Sequence, residues 1–183
     1  YVFLTVFYNF GGFLTTGNTN IRTKMTEKEL KISYKEFAFD ELSAEDRQLV
    51  DAAVASMQNA YSPYSHFKVG AAVRLSDGSI VTGSNQENAA FPSGLCAERT
   101  AVFSAQANFP DQSIEALALV ARNDNGLIDN PVTPCGACRQ VLLGVEERYG
   151  LPMRILMYGK SGVYSVGSAK DLLPLSFVDS SMK

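Results

Sequence analysis

All three cysteines of this chain lie in two short motifs, C-A-E at residues 96–98 and P-C-G-A-C at residues 134–138. Three thiolates can hold one tetrahedral zinc ion and leave its fourth position open for water, which is typical of catalytic zinc sites. Glu98 lies beside this set and need not bind the metal. The pattern therefore predicts a site in which zinc activates water and a carboxylate moves protons.

Both motifs are predicted to lie at the start of a helix. Cys96 and Cys135 each follow turn-forming residues, at 92–94 and 131–134, and each precedes a segment of helical character. Unpaired backbone N–H groups and the positive end of the helix dipole stabilise thiolates at such positions. Cys135 and Cys138 can face one ion from a single helical turn, whereas Cys96 must come from the other helix.

Charged residues beside the ligands have predicted roles of their own. A Zn²⁺ ion with three thiolates carries a net charge of about −1, which weakens its ability to acidify water. Arg99 is predicted to offset this charge by donating hydrogen bonds to cysteine sulfurs, with Arg139 as a second candidate. Glu98 is too close to Cys96 in sequence to share a metal from one tight turn, and is predicted to shuttle protons.

Other interpretations of these residues remain open from the pattern alone. His66 could complete a structural zinc site with the three cysteines, or the thiols could be buried independently without a metal. Glu98 could be a solvated helix residue. His66 is expected to be a hydrogen-bonded structural residue rather than a catalytic one.

Composition narrows the classes of function. The chain has 183 residues, 46% hydrophobic and 19% charged, with a net charge of −3 and a pI near 5.2, as expected for one globular domain. A chain of this size can bury a core without disulfides. The acidic balance and the scattered basic residues argue against a nucleic-acid partner. Clustered cysteines favour metal over disulfide, and hence a reducing, cytoplasmic compartment.

The N-terminal stretch is treated separately from the predicted domain. Residues 1–24 begin with an apolar run and precede Met25, which resembles a natural start. We expect residues 1–24 to be a leader or disordered extension outside the fold, and residues 25–183 to form a single zinc-dependent domain. A targeting segment is the alternative for residues 1–24. The apolar run is too short to span a bilayer, so no membrane association is expected.

The elements that must position the cysteines follow from periodicity and turn residues. Ser43 and Asp46 predict a capping box at the start of a helix whose apolar face runs from Leu49 through Val54 to Met57. Strands are predicted at 68–75, 80–83, 114–121, 154–158 and 163–166, and further helices at 96–107, 135–149 and 168–173. Two strands followed by helix-strand units predict an α/β fold, a three-layer α/β/α sandwich on a mixed five-stranded sheet.

Four stretches together resemble the cytidine deaminases of the small homotetrameric type. They are YSPYSHFKVG at 61–70, NQENA at 85–89, CAERTA at 96–101 and PCGACRQV at 134–141. The likeness runs in register from about residue 43 to 178. It implies the cytidine deaminase-like fold and one Zn²⁺ per subunit, held by Cys96, Cys135 and Cys138.

The resemblance also implies a reaction and an assembly. The reaction is hydrolytic deamination of cytidine and 2′-deoxycytidine to uridine and 2′-deoxyuridine with release of ammonia, as in pyrimidine salvage. Activated water attacks C4 of the base, and Glu98 is the acid and base. The implied assembly is a homotetramer with active sites at subunit contacts and a free nucleoside as substrate.

The substrate contacts implied by the resemblance can be placed residue by residue. Asn85 and Glu87 bind the ribose 3′-hydroxyl, Phe67 packs near the pyrimidine, the backbone of Ala97 and the carbonyl of Thr133 read the base edge, and Phe177 reaches a neighbouring subunit's site. Side chains alternate along an extended segment, so Asn85 and Glu87 can point the same way. Each could instead be an ordinary loop, core or docking residue. Phe91 stands where the family often carries Tyr, and so lacks a hydroxyl.

Three other functions share parts of this pattern. A deaminase acting on a cytosine-containing antibiotic such as blasticidin S can use three cysteines, but Arg99 and the N-x-E-N segment at 85–88 favour a nucleoside. An enzyme that edits cytosine in single-stranded nucleic acid predicts a basic channel and usually His in place of Cys96. A catalytically silent zinc-binding module would not need Glu98.

Overall fold

The computed structural model describes residues 26–183, so the predicted leader at 1–24 lies outside the described residues. The strands are β1 Lys35–Phe37, β2 Lys68–Leu75, β3 Ile80–Ser84, β4 Ile114–Asn123, β5 Gly126–Leu127, β6 Arg154–Gly159 and β7 Gly162–Val166. The α-helices are α1 Ala44–Ser56, α2 Ala97–Asn108 and α3 Gly136–Tyr149. The predicted helix at 168–173 is a 3₁₀ turn, Ala169–Leu172. No helix within residues 26–183 is long and apolar enough to cross a bilayer.

The strands form one mixed sheet, as predicted. Its order is β1-β7-β6-β4-β2-β3, with β5 paired to the end of β4. Only the β4–β6 pair is parallel within the described sheet. The predicted count of five strands is wrong, because the sheet has seven. The additional strands, β1 and β5, have three and two residues and carry no apolar alternation long enough to recognise in sequence.

The central strands separate two hydrophobic clusters, which confirms the three-layer sandwich. In β4, Leu117 and Leu119 pack with residues of α2 and α3, whereas Ala118 and Val120 pack with residues of α1. Within 114–121 only Glu115 is exposed, as predicted for a strand covered on both faces. The two helices that carry cysteines therefore lie on the same face of the sheet.

The start of α1 agrees only in part with the sequence prediction. Ser43 caps the helix, its hydroxyl accepting the Asp46 N–H at 3.2 Å. The Asp46 carboxylate does not complete a capping box but pairs with Arg74 and Arg154. Asp46 is buried, and a buried carboxylate needs charged partners. Val54, predicted on the apolar face, is 36% exposed.

Helix α2 packs its backbone directly against a glycine of β3. A Cβ on Gly83 would lie 2.6 Å from the carbonyl oxygen of Ala97 and would also collide with the backbone nitrogen of Ala101. Any side chain at Gly83 would therefore push the first turn of α2 away from β3. This close contact positions the turn that carries Cys96 and Glu98.

Candidate active site

The three cysteine sulfurs converge from two helix starts. Cys96 and Cys135 are the residues immediately before α2 and α3, and Cys138 lies in the first turn of α3. The Sγ atoms of Cys96 and Cys135 are 3.8 Å apart, those of Cys135 and Cys138 are 3.5 Å apart, and all lie within 4.8 Å of one another. A tetrahedral zinc ion with Zn–S bonds of about 2.3 Å separates its sulfurs by about 3.8 Å. The sulfur positions therefore suit zinc.

The electrostatics of the thiols also indicate a cation site. Hydrogen bonds from Cys138 and then Arg99 hold the pKa of Cys96 well below its usual range. The same hydrogen bond to Cys96, together with burial, raises the pKa of Cys138. Arg99 and the neighbouring sulfur therefore favour negative charge on Cys96. Thiolates are ligands that zinc prefers.

Glu98 lies beside the sulfurs in the first turn of α2. Glu98 is only 4% exposed, and it lines the same cavity as Cys96 and Cys135. Burial raises the pKa of Glu98, and the negative charge of Cys96 adds to the effect. A carboxyl group whose pKa is raised toward neutrality can both accept and donate a proton during a reaction.

The two arginines beside the ligands have different partners. Arg99 donates from Nη2 to Cys96 Sγ over 3.5 Å, and its buried Nε–H has no hydrogen-bond partner among residues 26–183. Arg99 thus retains donor capacity for a group bound in the site. Arg139, the second candidate for supporting the sulfurs, donates instead to oxygens of Thr133, Pro134 and Leu172.

A cavity of about 830 Å³ opens beside the cysteines. Its walls include four residues described above, namely Cys96, Glu98, Arg99 and Cys135. They also include five residues predicted from the resemblance or its departures: Phe67, Asn85, Glu87, Phe91 and Thr133. The structure therefore brings the metal ligands and most predicted substrate contacts into one space. Its volume is in the range of small-molecule sites.

Asn85 is held by the start of strand β2. Its Oδ1 accepts the Val69 N–H at 2.8 Å, and its Nδ2 donates to the Phe67 carbonyl at 2.9 Å. A carboxamide has two N–H donors and two acceptor positions, so one of each remains. Asn85 thus fixes the backbone on both sides of Lys68 and keeps capacity for one more partner of each kind.

Glu87 is held by the loop that precedes β2. Its Oε2 accepts the N–H groups of Tyr64 and Ser65 at 2.9 and 3.3 Å, and its Oε1 accepts the Ser65 hydroxyl. The Ser65 hydroxyl, followed by the Tyr64 N–H, lowers the pKa of Glu87. Glu87 is therefore ionised near neutral pH, and Oε1 retains one acceptor position.

Ser65 is a site residue that the sequence analysis did not single out. Its hydroxyl contacts Glu87 and also accepts the Phe67 N–H at 3.1 Å. The second contact is a local turn typical of serine, which is the only sequence signal that could have indicated it. Its pairing with Glu87, 22 positions away, depends on the fold.

Cys138 and two of the predicted substrate contacts, Ala97 and Phe177, lie outside the walls described for this cavity. Ala97 is fully buried in the first turn of α2. Phe177 is 60% exposed, and its carbonyl accepts a hydrogen bond from Gln140 at 2.9 Å. Phe91 is on the cavity wall, is 75% exposed, and contacts the edge of the Tyr64 ring at 5.8 Å between centroids.

Comparison with known proteins agrees with this geometry. A family model described as "Cytidine and deoxycytidylate deaminase zinc-binding region" matches residues 43–148. A cytidine deaminase of Halalkalibacterium halodurans is 38% identical over 138 residues, covering 75% of this chain and 98% of the relative. One from Sporosarcina psychrophila is 45% identical over 130 residues, covering 71% of this chain and 89% of the relative.

Solved structures show the same likeness. The crystal structure of cytidine deaminase from Burkholderia pseudomallei has a TM-score of 0.61 and 39% identity, covering 71% of this chain and 97% of that one. That of Mycobacterium tuberculosis has a TM-score of 0.58 and 32% identity, covering 74% and 99%. The matched region of the sequence contains all three cysteines and Glu98. The chain belongs to the cytidine and deoxycytidylate deaminase family of zinc-dependent hydrolases.

Proposed function

We propose that this protein is a zinc-dependent cytidine deaminase acting in pyrimidine salvage. It converts cytidine and 2′-deoxycytidine to uridine and 2′-deoxyuridine with release of ammonia. The observation that carries the proposal is the placement of Glu98, buried in the wall of one cavity with Cys96 and Cys135, in a chain of this family.

Cys96, Cys135 and Cys138 hold one Zn²⁺ per subunit, which supplies the Lewis acidity that makes water a nucleophile at neutral pH. Glu98 accepts a proton from the attacking water and delivers it to N3 of the base as the new C–O bond forms at C4. Glu98 then transfers the second water proton to the departing amine, and the C4–N bond breaks to give ammonia and the uracil carbonyl. Because burial raises the pKa of Glu98, the carboxyl can hold each proton between these transfers.

Arg99 supports the metal ligands. Its guanidinium donates to Cys96 Sγ and so withdraws negative charge from that sulfur. A less charged set of thiolates leaves the ion more able to polarise water. This is the function proposed for Arg99 at a site with three anionic ligands.

The remaining capacity of Asn85 and Glu87 matches a sugar hydroxyl. Asn85 retains one N–H donor, and Glu87 Oε1 retains one acceptor position. A hydroxyl group accepts one hydrogen bond and donates another, so the ribose 3′-hydroxyl can use both groups together. Since neither contact involves the 2′ position, cytidine and 2′-deoxycytidine are both expected as substrates.

The base is recognised by groups near the cysteines. Phe67 packs against the pyrimidine, and the Thr133 carbonyl accepts from its amine. Ala97 is the first residue of α2, where backbone N–H groups have no partner within the helix, so it can donate to the base carbonyl. Phe67 and Thr133 both line the cavity, which supports these assignments.

The active form is proposed to be a homotetramer whose active sites lie at subunit contacts. Phe91 is largely exposed at the cavity wall, and Leu175, two positions before Phe177, is 94% exposed. Exposed aromatic and aliphatic groups beside a site are typical of protein contact surfaces. Phe177 lies outside its own subunit's cavity walls, which supports a contact with a neighbouring site. Light scattering during size-exclusion chromatography is expected to give four subunits, and a monomer with full activity would contradict the assembly.

The chain is proposed to act in the cytoplasm through residues 25–183 alone. Three thiols that must stay reduced to bind an ion favour a reducing compartment. The family match begins at residue 43, well after the leader proposed at 1–24. A protein beginning at Met25 is expected to retain zinc and full turnover, and loss of either would show that the leader contributes to the domain.

Metal analysis combined with three substrates tests the proposed function. The purified protein is expected to hold one zinc per subunit and to deaminate cytidine, with no turnover of blasticidin S or of cytosine in a single-stranded oligonucleotide. Activity on either of the latter would assign the site to another substrate. Zinc binding without turnover would identify a silent module, and turnover by metal-free protein would contradict the mechanism.

A further inference from the structure

The side chain of Arg139 uses all three of its guanidinium nitrogens to join separate parts of the chain. Nε donates to the Pro134 carbonyl at 2.8 Å, Nη1 to the Leu172 carbonyl at 2.8 Å, and Nη2 to the Thr133 hydroxyl at 3.0 Å. Two acceptors belong to the turn before Cys135. The third lies in the C-terminal segment, defined here as residues 168–177.

The contacts of Arg139 surround a metal ligand. Its backbone N–H donates to the Cys135 carbonyl at 2.9 Å, while its side chain holds Thr133 and Pro134, the two residues before that cysteine. The residue before a helix takes its orientation from the chain that leads into it. Fixing this turn therefore fixes both the direction of the Cys135 thiol and the direction of the Thr133 carbonyl.

Helix α3 holds the C-terminal segment at other points as well. Gln140 donates to the Phe177 carbonyl at 2.9 Å. Glu146 accepts the Ser168 hydroxyl and the Ala169 N–H, both at 2.8 Å. Of these three side chains of α3, only that of Arg139 hydrogen-bonds to the turn before Cys135 within residues 26–183.

We propose that Arg139 is a positioning residue that braces the Thr133–Pro134 turn against the C-terminal segment and so preorganises Cys135 for zinc. Its planar fork matches three fixed oxygens, and these charge-assisted bonds resist rotation of the turn. Lysine offers a single ammonium group that cannot reproduce this geometry. The effect on base recognition rests on the proposed function, whereas the effect on zinc does not.

Glu146 provides a matched control because it holds the same segment from the same helix. It also bonds the Met153 N–H at 2.7 Å, so its removal loosens the fold without touching the turn before Cys135. If Arg139 acted only by stabilising α3, variants at the two positions would change the zinc site alike. Position-specific loss of zinc separates a positioning role from a general structural one.

The test compares Arg139→Gln and Arg139→Lys with Glu146→Ala and the milder Glu146→Gln. Zinc affinity is measured by competition with a chromophoric chelator, thermal unfolding by circular dichroism, and KM and kcat with cytidine. The zinc affinity of Arg139→Gln is expected to be roughly 10- to 100-fold lower than that of the parent. The zinc affinity of Arg139→Lys should be closer to that of Arg139→Gln than to that of the parent. Glu146→Ala is expected to lower Tm but keep zinc affinity within about twofold of the parent.

Unchanged zinc affinity in both Arg139 variants would overturn the proposal. The proposal would also fail if Glu146→Ala and Arg139→Gln lost the same zinc affinity and showed a similar decrease in Tm. Because chelator competition needs no substrate, a parent protein inactive on cytidine would refute the proposed function while leaving this test intact. Conversely, an active parent whose Arg139 variants bind zinc normally would refute only the positioning role.

Discussion

Two regions of the cavity wall satisfy their polar atoms in opposite ways. The metal-ligand cluster, comprising Cys96, Cys135 and Cys138, is joined by contacts between its own sulfurs and receives one further hydrogen bond, from Arg99. The proposed sugar-binding pair, Asn85 and Glu87, is held by the backbone of residues 64–69 and by the Ser65 hydroxyl. The cluster presents three sulfurs to one ion, whereas the pair presents one remaining donor and one remaining acceptor position to a ligand.

This difference separates the two contributions to catalysis. The cysteine cluster is proposed to hold the ion that activates water. Removing one cysteine destroys the three-sulfur site, so the other two can no longer hold the ion in the same way. A pair that is already bonded to the loop before β2 is rigid before the substrate arrives, so it supplies recognition at little entropic cost. Losses in the cluster should therefore be all-or-none, and losses in the pair should be graded.

Removing one sulfur should have the largest effect. Cys135→Ala leaves two thiols, which cannot form a three-sulfur site, and we expect zinc binding and turnover to be lost together. Metal content and cytidine turnover of the same preparation measure this. A variant that keeps one zinc per subunit and normal turnover would mean that the cluster is not the metal site.

Removing the proton shuttle should abolish turnover without loss of zinc. Glu98→Gln keeps the size of the side chain but cannot accept or release a proton, so kcat is expected to fall roughly 10²- to 10⁴-fold. Glu115→Gln, at the exposed second residue of β4, is the matched control and should retain activity. If Glu98→Gln retains more than about a tenth of the turnover, the proton-transfer role is wrong.

The metal-ligand cluster was predictable from sequence because its information is local. Turn residues before Cys96 and Cys135 marked two helix starts, and the helices of the structure begin one residue later, at Ala97 and Gly136. The central strand β4 was predictable for a similar reason, since an apolar run indicates burial on both faces. Short edge strands such as β1 carry too few residues to show a pattern.

The partners of long polar side chains could not be predicted in the same way. Arg139 follows Cys138 directly, yet its guanidinium reaches Leu172, 33 positions later, rather than a sulfur. Asp46 has the spacing of a capping box but pairs with Arg154, 108 positions away. Both pairings depend on which elements the sheet order brings together, and a local sequence pattern contains no such information.

Removing Glu87 should weaken recognition of one hydroxyl group. Glu87→Ala is expected to reduce kcat/KM for cytidine roughly tenfold, because a charge-assisted hydrogen bond to the sugar is lost. The parent should discriminate against 3′-deoxycytidine, and Glu87→Ala should lose most of that discrimination. The matched control substrate is 2′-deoxycytidine, which lacks the other hydroxyl. Equal discrimination by parent and variant would remove Glu87 from the sugar contact.

The smallest effect should come from the residue that holds Glu87. Ser65→Ala removes the hydroxyl that Oε1 accepts, so KM should rise about two- to fivefold with little change in kcat. Because that hydroxyl lowers the pKa of Glu87, its removal raises the pKa toward the ordinary value. As the pH falls, KM is expected to rise once Glu87 becomes protonated. This rise should therefore start at a higher pH in the variant than in the parent. The control is Ser79→Ala, because the Ser79 hydroxyl contacts Asp77 in the β2–β3 turn. An unshifted pH profile of KM in Ser65→Ala would show that Asn85 and Glu87 are held rigidly without Ser65.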